Sequence, residues 1–155
     1  MTIEEDAKEY FILFSKLEYA LKNSGYATSK KEKFYAANCN WAKFIENIKG
    51  KIKIDVTDTN IDFFLKNRPQ RQIYKDGKLD FTKNDTSIQP DEIEKIIESC
   101  KIIRNNLFHG GKNENDEGSP GRNTQLIKAA TKILNAAIAA CPIVKEKFVQ
   151  ATLKG

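Results

Sequence analysis

Nothing in this chain approaches the roughly 20 consecutive apolar residues that a membrane-spanning helix requires. The first residues, Met1 to Asp6, are acidic and polar, the opposite of the basic opening of a secretory leader. The expectation is therefore a cytoplasmic protein without membrane contact. Cysteine is sparse: Cys39, Cys100 and Cys141 stand singly in apolar surroundings, an odd count with no C-x-x-C spacing. That argues against a disulfide framework and reads as buried, reduced thiols. Histidine occurs once, as His109, so no zinc site of recognisable spacing can be assembled. No carboxylate cluster is placed to hold a divalent ion, and internal repeats and low-complexity tracts are absent. Neither a metal nor a cofactor is expected.

What is present suits a folded domain. At 155 residues the chain argues for one domain, spanning 1–155, that can bury roughly 68–70% of its unfolded surface without covalent staples. Lys and Arg number 26 against 21 Asp and Glu, a net charge of +5, and the sequence pI is about 9.0. A modest basic excess favours encounter with polyanions through counterion release, although many basic proteins bind no nucleic acid.

Hydrophobic periodicity is helical over most of the length. Thr2 and Glu5 form a capping box for a helix from Ile3 to Asn23, with Phe11, Phe14, Leu17, Ala20 and Leu21 on its buried face and Gly25 as its stop. Ser29 and Glu32 repeat the signature before a second helix, Lys30 to Ile48, whose stripe is Phe34, Ala37, Trp41, Phe44, Ile45 and Ile48. Between Lys51 and Gln89 the pattern breaks. A short helix fits Asp58 to Lys66, Arg68-Pro69 ends it, and Tyr74-Lys75-Asp76-Gly77-Lys78 reads as a turn between two extended pieces. Pro90 then opens a third long helix with Ile93, Ile96, Ile97, Cys100, Ile103 and Leu107 inward. It stops at Gly110-Gly111, and the polar stretch Lys112 to Gly121 reads as a mobile loop. A fourth helix fits Asn123 to Ala140, and Pro142 separates it from a short terminal one. The expected fold is all-α: a bundle with an irregular excursion between its second and third long helices.

One stretch carries chemistry. His109 is the sole imidazole, and imidazole exchanges protons near neutral pH without perturbation. Arg104 lies five positions earlier on the same helix, which raises the chain by about 7.5 Å and turns it by about 140°. The two side chains do not share a face of an intact helix. Either the helix unwinds at Gly110-Gly111 and re-aims the imidazole, or a second subunit completes the site.

Arg104-Asn105-Asn106-Leu107-Phe108-His109-Gly110 resembles the R-x4-6-H motif of the HEPN superfamily (higher eukaryotes and prokaryotes nucleotide-binding), placed, as in that family, at the end of a late helix. Phe14 to Lys22 on the first helix is similar to a subgroup of small stand-alone HEPN proteins. The resemblance covers most of the chain but is sharp only from Arg104 to His109. It implies a four- to five-helix up-and-down bundle and metal-independent endoribonuclease activity in a homodimer, with the RNA 2′-OH attacking its own phosphate to leave 2′,3′-cyclic phosphate and 5′-OH ends. In that scheme His109 moves the proton, Arg104 stabilises charge on the phosphorane oxygens, and Asn105 orients the phosphate or His109. The family further suggests a toxin or anti-phage defence effector with a cognate antitoxin or regulatory protein as partner. The alternatives are a non-catalytic module that binds RNA, nucleotide or protein, and a structural or regulatory subunit.

Several residues admit two readings. His109 also suits a helix C-terminus, where its charge meets the negative end of the dipole. Glu18 and Lys22 are spaced as an exposed ion pair or as supports of the motif, Glu18 by holding Arg104. Together with Asn106 and Lys112 they are the candidate substrate-binding residues. Lys66, Arg68, Arg71, Tyr74, Lys75 and Lys78 form either a solvated loop or a track for RNA with a base on Tyr74. Trp41 and the phenylalanines are core or dimer interface.

Overall fold

The structure, a computed structural model, describes residues 2–28, 37–82, 86–109 and 121–153. Helix α1 (Ile3–Lys22) begins on the capping box anticipated from Thr2 and Glu5: the Thr2 hydroxyl accepts from the Glu5 amide at 3.2 Å, and the Glu5 carboxylate accepts from the Thr2 amide at 3.0 Å. Gly25, at φ +86°, turns the chain out of the helix in the left-handed conformation that glycine adopts without strain. The buried stripe is Tyr10, Leu13, Phe14, Leu17, Ala20 and Leu21. Phe11, expected inside, is 41% exposed, because Tyr10 takes the inward position one residue earlier.

The second helix is shorter than its sequence pattern suggested. Strand β1 (Ala27–Thr28) pairs antiparallel with β2 (Asn38–Cys39), and α2 (Trp41–Ile48) starts only after them. Asn40 decides the start: its side chain accepts the Lys43 amide at 3.1 Å, the capping role that makes asparagine a better helix opener than helix interior. The expected helical run from Lys30 is thus corrected over positions 37–40, with Ala37 of the expected stripe exposed and outside any helix, while positions 29–36 lie outside the described residues.

Helix α3 (Thr59–Lys66) is capped by Asp58, whose carboxylate accepts from the amides of Asn60 and Ile61 at 2.9 and 3.1 Å. Its Ile61, Phe64 and Leu65 are buried, so this part of the supposed excursion belongs to the bundle. The excursion proper is the hairpin of β3 (Gln72–Lys75) and β4 (Lys78–Phe81), closed by Asp76 and Gly77, both at positive φ. That is the Asp-Gly two-residue turn whose twist matches paired strands.

Helix α4 (Ile93–His109) begins at Ile93 rather than Pro90. The Glu92 carboxylate accepts the Gln89 amide at 2.9 Å, so Pro90 and Asp91 are held in a turn before the helix. Helix α5 (Arg122–Ala139) follows, and α6 (Pro142–Gln150) leaves it at 114° with proline at its first turn. Helix α5 is the centre of the bundle, packing against α1, α3, α4 and α6. Leu126, Ile127, Ile133, Leu134 and Ile138 are buried there, and Ala129, Ala130 and Ala137 let neighbouring helices approach closely. The described fold is mostly helical, with two two-stranded sheets, and no single described helix is long and apolar enough to cross a membrane.

Candidate functional site

The C-terminal half of α4 presents two working faces, and the sequence motif divides between them. Arg104 lies on the face toward α1. Its guanidinium carbon stands 5.7 Å from the Phe14 ring centre and 5.1 Å from that of Phe108. Phe108, 59% exposed, stacks in turn on Phe11 with ring centres 6.3 Å apart. Phe14 is buried and packs against Trp41 at 5.5 Å. Aromatic faces attract a cation and fix its plane while leaving its N–H groups available for hydrogen bonds. Arg104 uses one of them to donate to the side-chain amide oxygen (Oδ1) of Asn105 at 3.2 Å. Among the described residues no carboxylate pairs with Arg104, and Glu18 forms neither the alternative clasp on Arg104 nor the ion pair with Lys22.

The turn of α4 beneath Arg104 is anchored from inside. Tyr10, fully buried, donates its hydroxyl to the Cys100 carbonyl at 2.5 Å. Burial pushes the Tyr10 phenol well above its ordinary range; Cys100 adds to the rise and the positive charge of Arg104 opposes it.

One turn before Arg104, the Lys101 ammonium lies 5.7 Å from the Trp41 ring centre. Cys39 sits between this residue and α1, its thiol donating to the Glu18 carbonyl at 3.5 Å. Burial raises the Cys39 pKa to about 11; Glu18 adds to the rise, and Lys22 and Lys101 oppose it. Glu18 and Lys22 therefore both lie near Cys39, a turn or two along α1 from the Phe14 that carries Arg104. Lys101 thus flanks Arg104 on this side of α4, its ammonium also 3.5 Å from the Glu98 carboxylate. Lys101 was not among the residues singled out from sequence. Its place three residues before Arg104, on the same helical face, is the signal that could have found it.

Asn106 looks the other way, toward the hairpin, and Asn105 stands between the two sides. The Asn106 amide donates to the Gln70 carbonyl at 2.8 Å and so fastens the hairpin root to α4. A half-open groove of about 280 Å³ lies between the two, lined by Arg71, Gln72, Glu98, Ile102, Asn105 and Asn106. Arg71 bridges it, its guanidinium 3.2 Å from the Glu98 carboxylate. Gln72, Glu98 and Ile102 were invisible as site residues from sequence, because only the folded hairpin brings positions 71 and 72 beside 98 and 102.

Helix α4 runs unbroken in backbone through His109, so the rotation of about 140° between positions 104 and 109 stands. The His109 side chain lies outside the described residues, as do Gly110, Gly111 and Lys112. Among the described residues, no group of three or more His, Cys, Asp or Glu is gathered as a metal site. No family model, no curated protein and no solved structure matches this chain.

Proposed function

We propose that this chain is a HEPN-type, metal-independent endoribonuclease that works as a homodimer, cutting RNA through attack of its 2′-OH on the adjacent phosphate. Arg104 carries the reading: a planar cation, laid on Phe14 and Phe108, bonded to Asn105 and unopposed by any carboxylate among the described residues. A guanidinium in that state keeps N–H donors for phosphoryl oxygens, the bidentate geometry that phosphate recognition uses. The resemblance of Arg104–His109 to the R-x4-6-H motif assigns the proton transfer to His109 and the orienting hydrogen bond to Asn105. The net charge of +5 suits a polyanionic substrate. A toxin or anti-phage role, restrained by a partner protein, is the biological setting that the resemblance suggests.

A second reading, a binding module without turnover, draws on the intact helix through position 109, since one protomer then directs Arg104 and position 109 apart. One experiment separates the two. Purified protein is incubated with RNA in excess EDTA, and the products are analysed for 2′,3′-cyclic phosphate ends. Cleavage is expected, with Arg104→Ala and His109→Ala each slowing it by at least about a hundredfold while still binding RNA, and with 2′-deoxy substrate left intact. Wild type that binds RNA without cutting it establishes the module. Variants that cut at the wild-type rate remove Arg104 and His109 from the chemistry.

A further inference from the structure

We infer that the groove between α4 and the β3–β4 hairpin is a base-recognition subsite for single-stranded RNA, continued outward by Tyr74 as a stacking platform; the choice of RNA as occupant rests on the function proposed above. Four observations support the inference. The groove is built of hydrogen-bonding side chains around an apolar one: the amides of Gln72, Asn105 and Asn106, the Arg71–Glu98 pair, and Ile102. Amides, a guanidinium and a carboxylate are the groups that read the edges of an unpaired base, and an aliphatic side chain receives its face. Its volume of about 280 Å³ lies near the lower end of small-ligand sites, suited to one heterocycle and its sugar.

Second, the groove is pre-formed. The Arg71 amide donates to the Thr82 hydroxyl at 2.9 Å and the Thr82 amide to the Arg71 carbonyl at 2.9 Å, which registers the open end of the hairpin. Arg71 to Glu98 and Asn106 to the Gln70 carbonyl then fix that end to α4. Third, Asn105 belongs to both places, lining the groove and accepting from Arg104. A nucleotide seated in the groove therefore has its phosphate within the neighbourhood of the proposed cleavage residue.

Fourth, the hairpin offers a way out of the groove. Residues two apart on a strand share a face, so Tyr74 stands on the same face as Gln72, opposite Leu79 in the cross-strand register. Tyr74 is 77% exposed, and the tip beyond it carries exposed Lys75 and Lys78. An exposed ring beside cations is the arrangement with which single-stranded nucleic acid is held, bases stacked on the ring and phosphates met by lysine.

The test uses the full-length protein and fluorescein-labelled 2′-O-methyl RNA hexamers of each base. These hexamers lack the attacking hydroxyl, so binding is read by anisotropy without cleavage. Wild type is expected to favour one base over the weakest by about tenfold or more in Kd. Tyr74→Ala should weaken binding of every hexamer by about fivefold to fiftyfold. Gln72→Ala should collapse the preference, bringing the Kd of the favoured hexamer to within about twofold of that of the weakest. Circular dichroism and thermal melting of both variants verify the fold. Equal affinity for all four hexamers, or unchanged binding by both variants, overturns the subsite. The outcomes separate this inference from the catalytic one. Base-selective binding without cleavage of ordinary RNA leaves the groove standing and removes the nuclease. Cleavage that needs Arg104 and His109, yet is the same in rate and position in Tyr74→Ala and Gln72→Ala, does the reverse.

Discussion

Tyr10→Phe removes a single hydroxyl from the centre of the bundle and tests what holds the turn that carries Arg104. The hydroxyl donates to the Cys100 carbonyl at 2.5 Å, and Tyr10 has no exposed surface. Cys100 lies four residues before Arg104, so the same carbonyl is also the helical acceptor for the Arg104 amide. The substitution keeps that helical bond and leaves one buried lone pair without its second donor. The loss is that of one neutral hydrogen bond, about 1 kcal/mol, well short of the roughly 3–5 kcal/mol for removing a whole buried ring. At about 2.1 cal/mol/K per residue, the unfolding entropy of 155 residues is about 0.33 kcal/mol/K, and Tm falls by about 3 °C.

The pH dependence supplies a second readout. Because the folded-state pKa of Tyr10 is raised above its ordinary value of 10.0, chiefly by burial, its contribution is complete below that value and is lost as pH rises toward the folded pKa. The loss runs at about 1.4 kcal/mol per pH unit. Phenylalanine does not ionise, and every other titrating group is common to both proteins. The deficit of Tyr10→Phe should therefore close within about one pH unit above 10. Scanning calorimetry at neutral pH and urea unfolding followed by circular dichroism at alkaline pH measure both effects. A Tm loss below about 1 °C, or a deficit that persists undiminished in alkali, refutes the reasoning.

Two further predictions address the frame around the site. Asp58→Ala removes the cap of α3 and the 2.6 Å contact with Lys132, and should lower stability by about 1 kcal/mol. The Lys132 ammonium, with help from the α3 amides, holds the Asp58 carboxyl below its ordinary range. Its contribution is therefore present above the ordinary value and is lost as pH falls through the folded one, so urea titrations of the two proteins should converge in acid; a gap that widens there counts against the cap. Cys39, raised to about 11, has about one thiol in a thousand ionised at pH 8 and should react with iodoacetamide far more slowly than free cysteine. Cys100, fully buried, should label only on unfolding, and rapid labelling of either thiol in the native protein contradicts the packing described.

Local rules were legible wherever the signal was local. The Thr2–Glu5 capping box, the short helix ending at Lys66, the turn at Asp76-Gly77 and the break at Pro142 each depend on residues within a few positions of one another, and each forms as anticipated. The errors arose where distant partners compete with periodicity. Positions 38 and 39 fall inside the span of helical periodicity, yet they pair with Ala27 and Thr28, and Asn40 caps the helix that follows. Phe11 fits the buried face of α1, yet Tyr10 fills that place and Phe11 stacks outward on Phe108.

By itself, the sequence determined the helical character of the chain, the ends of its well-capped elements, and the placing of Arg104 and position 109 about 140° apart on one helix. These follow from backbone geometry and short-range hydrogen bonds, which neighbouring residues settle among themselves. Tertiary structure alone decided what surrounds Arg104: the Phe14 and Phe108 rings that carry it, the absence of a Glu18 clasp, and the Tyr10 tether beneath its turn. It also decided the groove, because Arg71 and Glu98, 27 residues apart, meet only when the hairpin folds back onto α4. Side chains so far apart in sequence become neighbours through burial of the bundle's apolar faces, and that burial depends on the whole chain at once.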